Sequence, residues 1–543
     1  MSDHAHPSDS GDSGAGGESG AMTKRLIGMA AVAVVLGIAA IGAKKTPGDA
    51  LLLNQVIQRI RESSVDSLSD STLLVKAARG LVYELNDPYA ALYSREQWDE
   101  FIRNSLGNEY AGLGIAIEQL SDSVTVTGVF PGTPAAKAGV QRGDRILKVD
   151  STNVTGWTTD QVSRRLMGAQ GSVVHVTFAR AGAASPVTVE MARAVVHPPS
   201  VPYVLMFDGH IGYVPLVRVS GSAASDVRAA LARLRAAGAT SFVLDLRGDP
   251  GGELGQSLAV SNLFLQRGQV LASVRSRSAP PETYSANEKP VLPDAPVVVL
   301  EDGYTASAAE IIAGALQDHD RGLVIGMPSY GKGLVQSSFP LDGGWELKMT
   351  TGRWYTPSGR SIHRTREYAD GRFVHPDSEP SRSPDSIRAG RPIVHSDGGR
   401  VLFGGGGIVP DVIVPPDTLT TAEQHVVAAL RGQLVKTQAT LYALGRDVAR
   451  SVRPDFATRP EWGGLYAERL RAAGIPISPA LADSANSFLS GLVAQRVAEI
   501  AFGDSAVFRR QSSHDAQLRR ALDLLRDSPS VSTLLSAARR ADG

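Results

Sequence analysis

The sequence predicts an α+β multidomain protein, with helical regions at both ends, a small strand-rich module after the first and a larger α/β core before the second. Three observations carry this. Stretches such as LLLNQVIQRI and SFLSGLVAQRVAEIAF place apolar residues three and four apart, the helical period. Between Tyr110 and Val195, short alternating runs such as SVVHVTFAR and PVTVEMAR are bounded by Gly and Pro, the signature of strands and tight turns. From IGYVPLV onward, strand-like runs alternate with the amphipathic stretch SAASDVRAALARLRAAG, as in a sheet covered by helices. At about 100–200 residues per domain, 543 residues hold three or four domains.

Composition narrows the chemistry. Lys plus Arg equals Asp plus Glu at 55 each, so no global field draws nucleic acid, and no nucleic-acid partner is expected. With no Cys there are no disulfides, thiolate zinc sites or Cys nucleophile. No HExxH and no GxSxG occurs, which argues against a metal hydrolase or a Ser–His esterase; no metal or cofactor is expected. Covalent catalysis would fall to Ser, Thr, Lys or a carboxylate.

Residues 1–21 are rich in Gly, Ser and acids and cannot bury enough to fold, so they predict a disordered tail. Residues 22–45 hold an uncharged run, Leu26 to Ala43, between Lys24-Arg25 and Lys44-Lys45. Its 18 residues are about the minimum for a membrane span. A cleaved signal peptide is the alternative to a retained transmembrane anchor; the anchor is the favoured reading, with the bulk of the chain extracytoplasmic (periplasmic). Residues 46–107 read as a helical layer broken at Asp87-Pro88, with Tyr89 and Tyr93 as packing residues.

Residues 108–196 resemble a PDZ domain. The resemblance rests on Gly112, Leu113, Gly114 and Ile115, and on the run Thr133-Pro134-Ala135-Ala136-Lys137-Ala138-Gly139-Val140-Gln141-Arg142-Gly143-Asp144. In that family the Gly-Leu-Gly-Ile loop offers backbone N–H groups to a terminal carboxylate, while the next strand pairs with the peptide.

Beyond VHPPSVP, two stretches raise the question of catalysis. DLRGDPGG (245–252) follows a buried-strand run; taken alone it is a turn with Arg247 paired to Asp249. TASAAEI (305–311) follows PVVVL, and Thr305 or Ser307 is either a helix N-cap or, for Ser307, a nucleophile. Lys332 lies 25 residues on and Gln336 four beyond it. A neutral Lys can take a Ser proton if burial lowers its pKa, and LVIGMPSYGKGLVQ contains no acid that would hold the charged form. His319, in QDHDRG, reads as an exposed turn at a helix end.

The PDZ-like module, DLRGDPGG, TASAAEIIAGALQD, SYGKGLVQ, TPSGRSI and GGGGIVPDVIVPP together resemble the C-terminal processing (tail-specific) serine proteases over roughly residues 50–416. The resemblance implies a crotonase-like protease core at 197–416. It implies Ser307 as nucleophile, Lys332 as base and Gln336 orienting it, with the Ala308 N–H and Gly251 or Gly252 forming the oxyanion hole. It also implies cleavage of proteins with exposed C-termini that the PDZ domain recognises. Thr305 and Ala309 stand where the family usually has Ser, and Tyr330 where it commonly has Phe. Met167 stands where many relatives place an Arg that relays peptide binding; that relay is absent here or rebuilt with Arg164 or Arg165. Residues 364–400 read as a polar surface insertion. The alternative function is an inactive PDZ peptide-binding scaffold, which would have lost Ser307 or Lys332.

Residues 417–543 are helical, with Leu489, Leu492, Val493 and Val497 on one amphipathic face. A solvated helical cap is the first reading. A dimerisation or adaptor surface, giving a homo-oligomer, is the second.

Overall fold

The computed structural model describes residues 47–102, 110–120, 123–365, 367–369, 372–374 and 383–541. The 1–21 tail and the Leu26–Ala43 run lie outside them; among the described residues no helix is long and apolar enough to cross a membrane. The chain divides into two units, Met1–Glu84 and Leu85–Gly543. The first holds helices α1 (Pro47–Ser63) and α2 (Asp70–Tyr83), the latter capped by Ser69, whose Oγ accepts the Thr72 N–H at 3.3 Å.

The second unit opens with strand β1 (Ala91–Tyr93) and helix α3 (Arg95–Phe101), so the expected helical layer contains a strand. Asp87 causes this: its carboxylate accepts the Tyr89 N–H at 3.0 Å, an Asx turn that sends the chain out extended.

A PDZ-type module follows, in the order β2 (Tyr110–Gly112), β3 (Ile115–Leu120), β4 (Ser123–Val129), α4 (Pro134–Lys137), β5 (Arg145–Val149), β6 (Thr152–Asn153), α5 (Thr159–Leu166), β7 (Val173–Ala179), β8 (Val187–Ala192) and β9 (Ala194–Val196). Its antiparallel sheet runs β3-β4-β5-β7-β8, leaving β3 at an edge. The alternation seen in SVVHVTFAR is obeyed, with Val174, Val176 and Phe178 buried inward beside Val126 and Ile146.

The α/β core contains β10 (Leu205–Phe207), β11 (Ile211–Pro215), α6 (Ala223–Ala236), β12 (Ser241–Asp245), α7 (Leu254–Asn262), β13 (Val270–Ser276), β14 (Glu282–Ser285), β15 (Val297–Glu301), α8 (Ala308–Asp318), β16 (Leu323–Gly326), β17 (Leu334–Leu341) and β18 (Trp345–Tyr355). Short elements follow: β19 (Glu367–Ala369), β20 (Arg372–Val374), α9 (Pro384–Arg388), β21 (Ile393–His395), β22 (Val401–Phe403) and β23 (Val412–Ile413). The central sheet has the order β10-β11-β12-β15-β16-β23 and is parallel from β11 onward. Because side chains alternate, Phe242, Leu244 and Val299 face α6, α7 and α8, while Val243, Val298 and Leu300 face the other way. A second sheet, β1-β18-β13-β14 with β17 also on β18, brings β1 to the core.

The last helices are α10 (Thr421–Arg431), α11 (Leu434–Ala449), α12 (Glu461–Ala472), α13 (Pro479–Ser484), α14 (Asn486–Phe502), α15 (Asp504–Gln511), α16 (Ala516–Arg526) and α17 (Val531–Ala541). The solvated cap is not what they form. Leu518, Leu522 and Leu525 of α16 and Leu534 of α17 join Val243, Val298, Leu300 and Ile325 in one apolar cluster, so they cover the sheet's second face. Helices α10–α14 have their own core, in which Leu489, Val493 and Val497 are buried. They also reach the PDZ module, where Arg142 donates to the Glu499 carbonyl at 2.8 Å.

Two further expectations are corrected and a third is refined. Arg247 pairs with Asp245 at 2.6 Å and Asp515 at 2.8 Å, not with Asp249, because Asp249 turns inward beneath the loop. His319 does end helix α8, but its side chain is covered rather than exposed, the ring held by Asp397 at 2.6 Å and the Val270 carbonyl at 2.7 Å. The described stretch 383–400 is mostly exposed, as a surface insertion should be, but it is pinned: Ile387 is buried, and Arg400 bridges Asp320 at 2.5 Å and Asp411 at 2.6 Å.

Candidate active site

Ser307 sits where β15 turns into α8, with φ 55° and ψ −115°, a conformation that costs a non-glycine residue about 1–3 kcal/mol. Hydrogen bonds on both flanks hold it. Thr305 Oγ1 donates to the Leu246 carbonyl at 2.8 Å and accepts the Asp302 N–H at 3.0 Å. The Ala306 N–H donates to the Asp249 carbonyl at 2.9 Å, stitching the turn to DLRGDPGG. Glu310, three residues on, accepts the Ser307 N–H at 2.7 Å.

The two glycines of that loop serve different needs. A Cβ on Gly251 (φ 89°) would lie 2.8 Å from Ala308 N and 3.0 Å from Ser307 Cβ. A Cβ on Gly252 (φ 155°) would lie 2.0 Å from the Val219 carbonyl oxygen, across the bridge that anchors the loop. Only glycine fits at either position. The Gly251 N–H is occupied, donating to Asp249 Oδ1 at 2.8 Å, whereas the Gly252 and Ala308 N–H groups meet no acceptor among the described residues. Burial pushes the Asp249 carboxyl up to about 8, against the opposing pull of the Gly251 N–H and Arg218.

Lys332 and Gln336 line the same 510 Å³ cavity as Ser307, Gly251 and Gly252, with Leu254, Ile311, Leu334, Val335 and Trp354 supplying apolar wall. The Lys332 backbone is clamped: its N–H donates to Glu310 at 2.8 Å and its carbonyl accepts the Trp354 indole at 2.9 Å. Burial lowers its pKa, the nearby Lys348 charge lowers it further, and Glu310 and Asp87 oppose both. Both acids lie outside LVIGMPSYGKGLVQ, Glu310 in the Ser307 turn and Asp87 far back in the chain, so that acid-free stretch did not disclose them. Lys332 Nζ lies 4.7 Å from the centroid of the Tyr89 ring. A β-bulge lies at Val335/Gln336, and the buried Gln336 Nε2 meets no acceptor among the described residues.

The PDZ loop stands apart from this cavity. Leu113 is buried in the module's core, and the Leu113 and Gly114 carbonyls accept the Ala135 and Phe130 N–H groups, both at 2.9 Å. The Leu113 and Gly114 N–H groups meet no acceptor among the described residues. Ile115 begins the edge strand β3.

Residues 210–378 match the model of peptidase family S41, and residues 125–180 that of a PDZ domain. A carboxy-terminal-processing protease of Bartonella bacilliformis is 34% identical over 311 residues, which are 56% of this chain and 71% of that protein. The chain belongs to the carboxy-terminal-processing proteases of family S41. Carboxy-terminal processing protease CtpA of Bacillus subtilis is 30% identical over 58% of this chain and 66% of its own length. Among solved structures, the photosystem II D1 C-terminal processing protease is 25% identical over 71% of this chain and 98% of its own, with a TM-score of 0.36. The protein is therefore a serine protease of the C-terminal processing type with a PDZ domain ahead of an α/β protease core.

Within an S41 protease the departures acquire meaning. Thr305 supplies the hydroxyl that ties the Ser307 turn to Leu246. At Met167, neither expected substitute bridges outward: Arg164 pairs with Asp160, and Arg165 donates to Thr152 at 3.3 Å, both within the PDZ module. The arginine against this corner is Arg193, which donates to the Leu166 carbonyl at 2.8 Å. Sequence alone assigns no role at this site to Tyr89, Asp87, Lys348 or Glu310. Only Glu310 left a signal there, the Ser-x-x-Glu spacing of a capping box.

Proposed function

We propose that this chain is a serine endopeptidase in which Ser307 Oγ attacks the scissile carbonyl and neutral Lys332 takes its proton. The resulting ammonium then protonates the leaving amine, and water hydrolyses the acyl-enzyme. Gln336 orients the amine. The N–H groups of Ala308 and Gly252 receive the oxyanion, with Gly251 clearing the space beside them; each such donor contributes about 3–4 kcal/mol to the barrier reduction. The observation that carries this reading is the strained Ser307 turn packed on Gly251 in the cavity that also holds Lys332.

The same reading assigns 108–196 to a PDZ domain whose free Leu113 and Gly114 N–H groups capture a substrate's terminal carboxylate. It assigns 197–416 to a crotonase-like protease core and 417–543 to a helical region. Residues 22–45 anchor the chain, which acts on extracytoplasmic proteins. The full-length protein in detergent should degrade an unfolded protein such as casein, and Ser307→Ala should not; equal rates for the two would end the proposal.

A further inference from the structure

Asp87, Pro88 and Tyr89 are built onto the catalytic sheet from far away in the chain. The Asp87 carboxylate accepts the N–H of Thr350, 263 residues on, at 2.7 Å and its hydroxyl at 3.1 Å. It also accepts the Tyr89 N–H at 3.0 Å, while β1 pairs Ala91 with Lys348. This scaffold sets the Tyr89 ring against Lys332, with Nζ 4.7 Å from its centroid. Among the described residues, no hydrogen bond joins Lys332 Nζ to Ser307 Oγ or to Gln336, whose Nε2 is left buried and unpaired. The lysine is parked on an aromatic face while its expected partners wait.

We propose that the Tyr89 ring is the resting seat of the protonated Lys332 side chain, a positioning residue that holds the ammonium away from Ser307 until its proton is lost. The proposal rests on the reading of Lys332 as base. An aromatic face attracts an ammonium through the ring quadrupole and has no such hold on a neutral amine, so the contact favours both the charged form and the parked position. The other groups around Lys332 divide. Burial and Lys348 disfavour the charge, whereas Glu310 and Asp87 favour it. Arg218 and Glu253 line the cavity as well, and His363 lies on the Tyr89 side. Burial prevails in that division, and the ring decides where Nζ rests. Once neutral, the amine is released towards Ser307 and the Gln336 amide.

The test is a titration of Lys332 itself in the full-length protein, by competitive acetylation with acetic anhydride between about pH 6 and 11, a span bracketing the reference Lys value. The modified peptide is quantified by mass spectrometry. Tyr89→Phe keeps the ring and should keep the wild-type midpoint. Tyr89→Leu should lower the midpoint by about half a pH unit to one and a half, the size of a partly buried cation–π contact. The rising limb of the peptidase rate should shift with it. An unmoved or raised midpoint in Tyr89→Leu overturns the proposal. If that variant does not fold by circular dichroism, Tyr89→Trp takes its place and should raise the midpoint; an unchanged or lower value there overturns it equally. Failure of the peptidase reading would show separately, as activity surviving Ser307→Ala, and would leave the labelling midpoints untouched.

Discussion

Ser307 and Lys332 hang from one carboxylate: Glu310 Oε2 accepts the backbone N–H of Ser307 at 2.7 Å and that of Lys332 at 2.8 Å. Its other oxygen accepts the Ser329 hydroxyl at 2.5 Å and the Gly331 N–H at 2.6 Å. Burial raises the Glu310 pKa and these four donors oppose the rise. Glu310→Gln turns an amide NH₂ towards donors that need an acceptor, at about 1–3 kcal/mol for each one left buried and unpaired. We expect a lower thermal unfolding midpoint and at least about a tenfold loss of kcat, as for a group that holds reacting residues in place. Calorimetry and peptide turnover on the same preparation check this, and unchanged turnover would count against Glu310 as the tie between the two residues.

Gly251→Ala should cost about a hundred- to a thousandfold in kcat, the loss typical of a damaged oxyanion hole. The added methyl would sit 2.8 Å from Ala308 N and 2.5 Å from the Ala306 carbonyl oxygen. Gly255→Ala, in α7 with no atom within 4 Å of the new Cβ, is the control and should be neutral or slightly stabilising. Equal turnover in the two variants would remove Gly251 from the site.

Activity should rise with pH as Lys332 loses its proton, below the 10.5 of an ordinary lysine. Lys348 adds to the lowering that burial begins, because a nearby positive charge disfavours a second. Lys348→Met removes it, so the rising limb should move to higher pH. Lys332→Arg should be nearly inactive at every pH, since a guanidinium keeps its proton. A pH–rate series on the three proteins decides, and a downward move in Lys348→Met would contradict the assignment.

Asp249 gives a stability signature. Its folded pKa of about 8 stands above the ordinary 3.8, so folding favours its neutral form. That contribution is complete below 3.8 and is lost as pH rises towards about 8. Asp249→Asn keeps an oxygen for the Gly251 N–H and does not ionise. Its unfolding midpoint relative to wild type should therefore climb across this window, with most of the peptidase activity retained. Parallel midpoint–pH curves would show that Asp249 does not titrate there.

The regular elements were legible because their patterns are local. SVVHVTFAR alternates and the Phe242-Val243-Leu244 centre of SFVLDLR is unbroken apolar, and burial on one face or on both follows directly. The turn at Ser307 stood out only through its combination with the other motifs, since an N-cap looks the same in sequence. The supporting groups were hidden by distance along the chain. Tyr89 resembled any packing aromatic, and Lys348 any strand lysine. Arg247 offered two acids within two residues; the inward turn of Asp249 leaves it Asp245, and its second partner, Asp515, arrives from the N-cap of α16. The amphipathic helices after residue 417 were equally readable as a cap, because an apolar stripe does not name the surface it will meet.

That last ambiguity has a consequence for how the chain is made. The loop after strand β12 and the N-cap of helix α16 are tied by Arg247 and Asp515, 268 residues apart. A chain emerging in order therefore exposes one greasy face of its central sheet throughout the synthesis of everything between them, and that interval is open to aggregation and to chaperone capture. Nascent chains arrested before residue 516 should be bound by hydrophobic dye and cut readily by added protease, whereas chains carried past residue 541 should lose both properties. The protease would thus remain untempered until its final pair of helices closes over it.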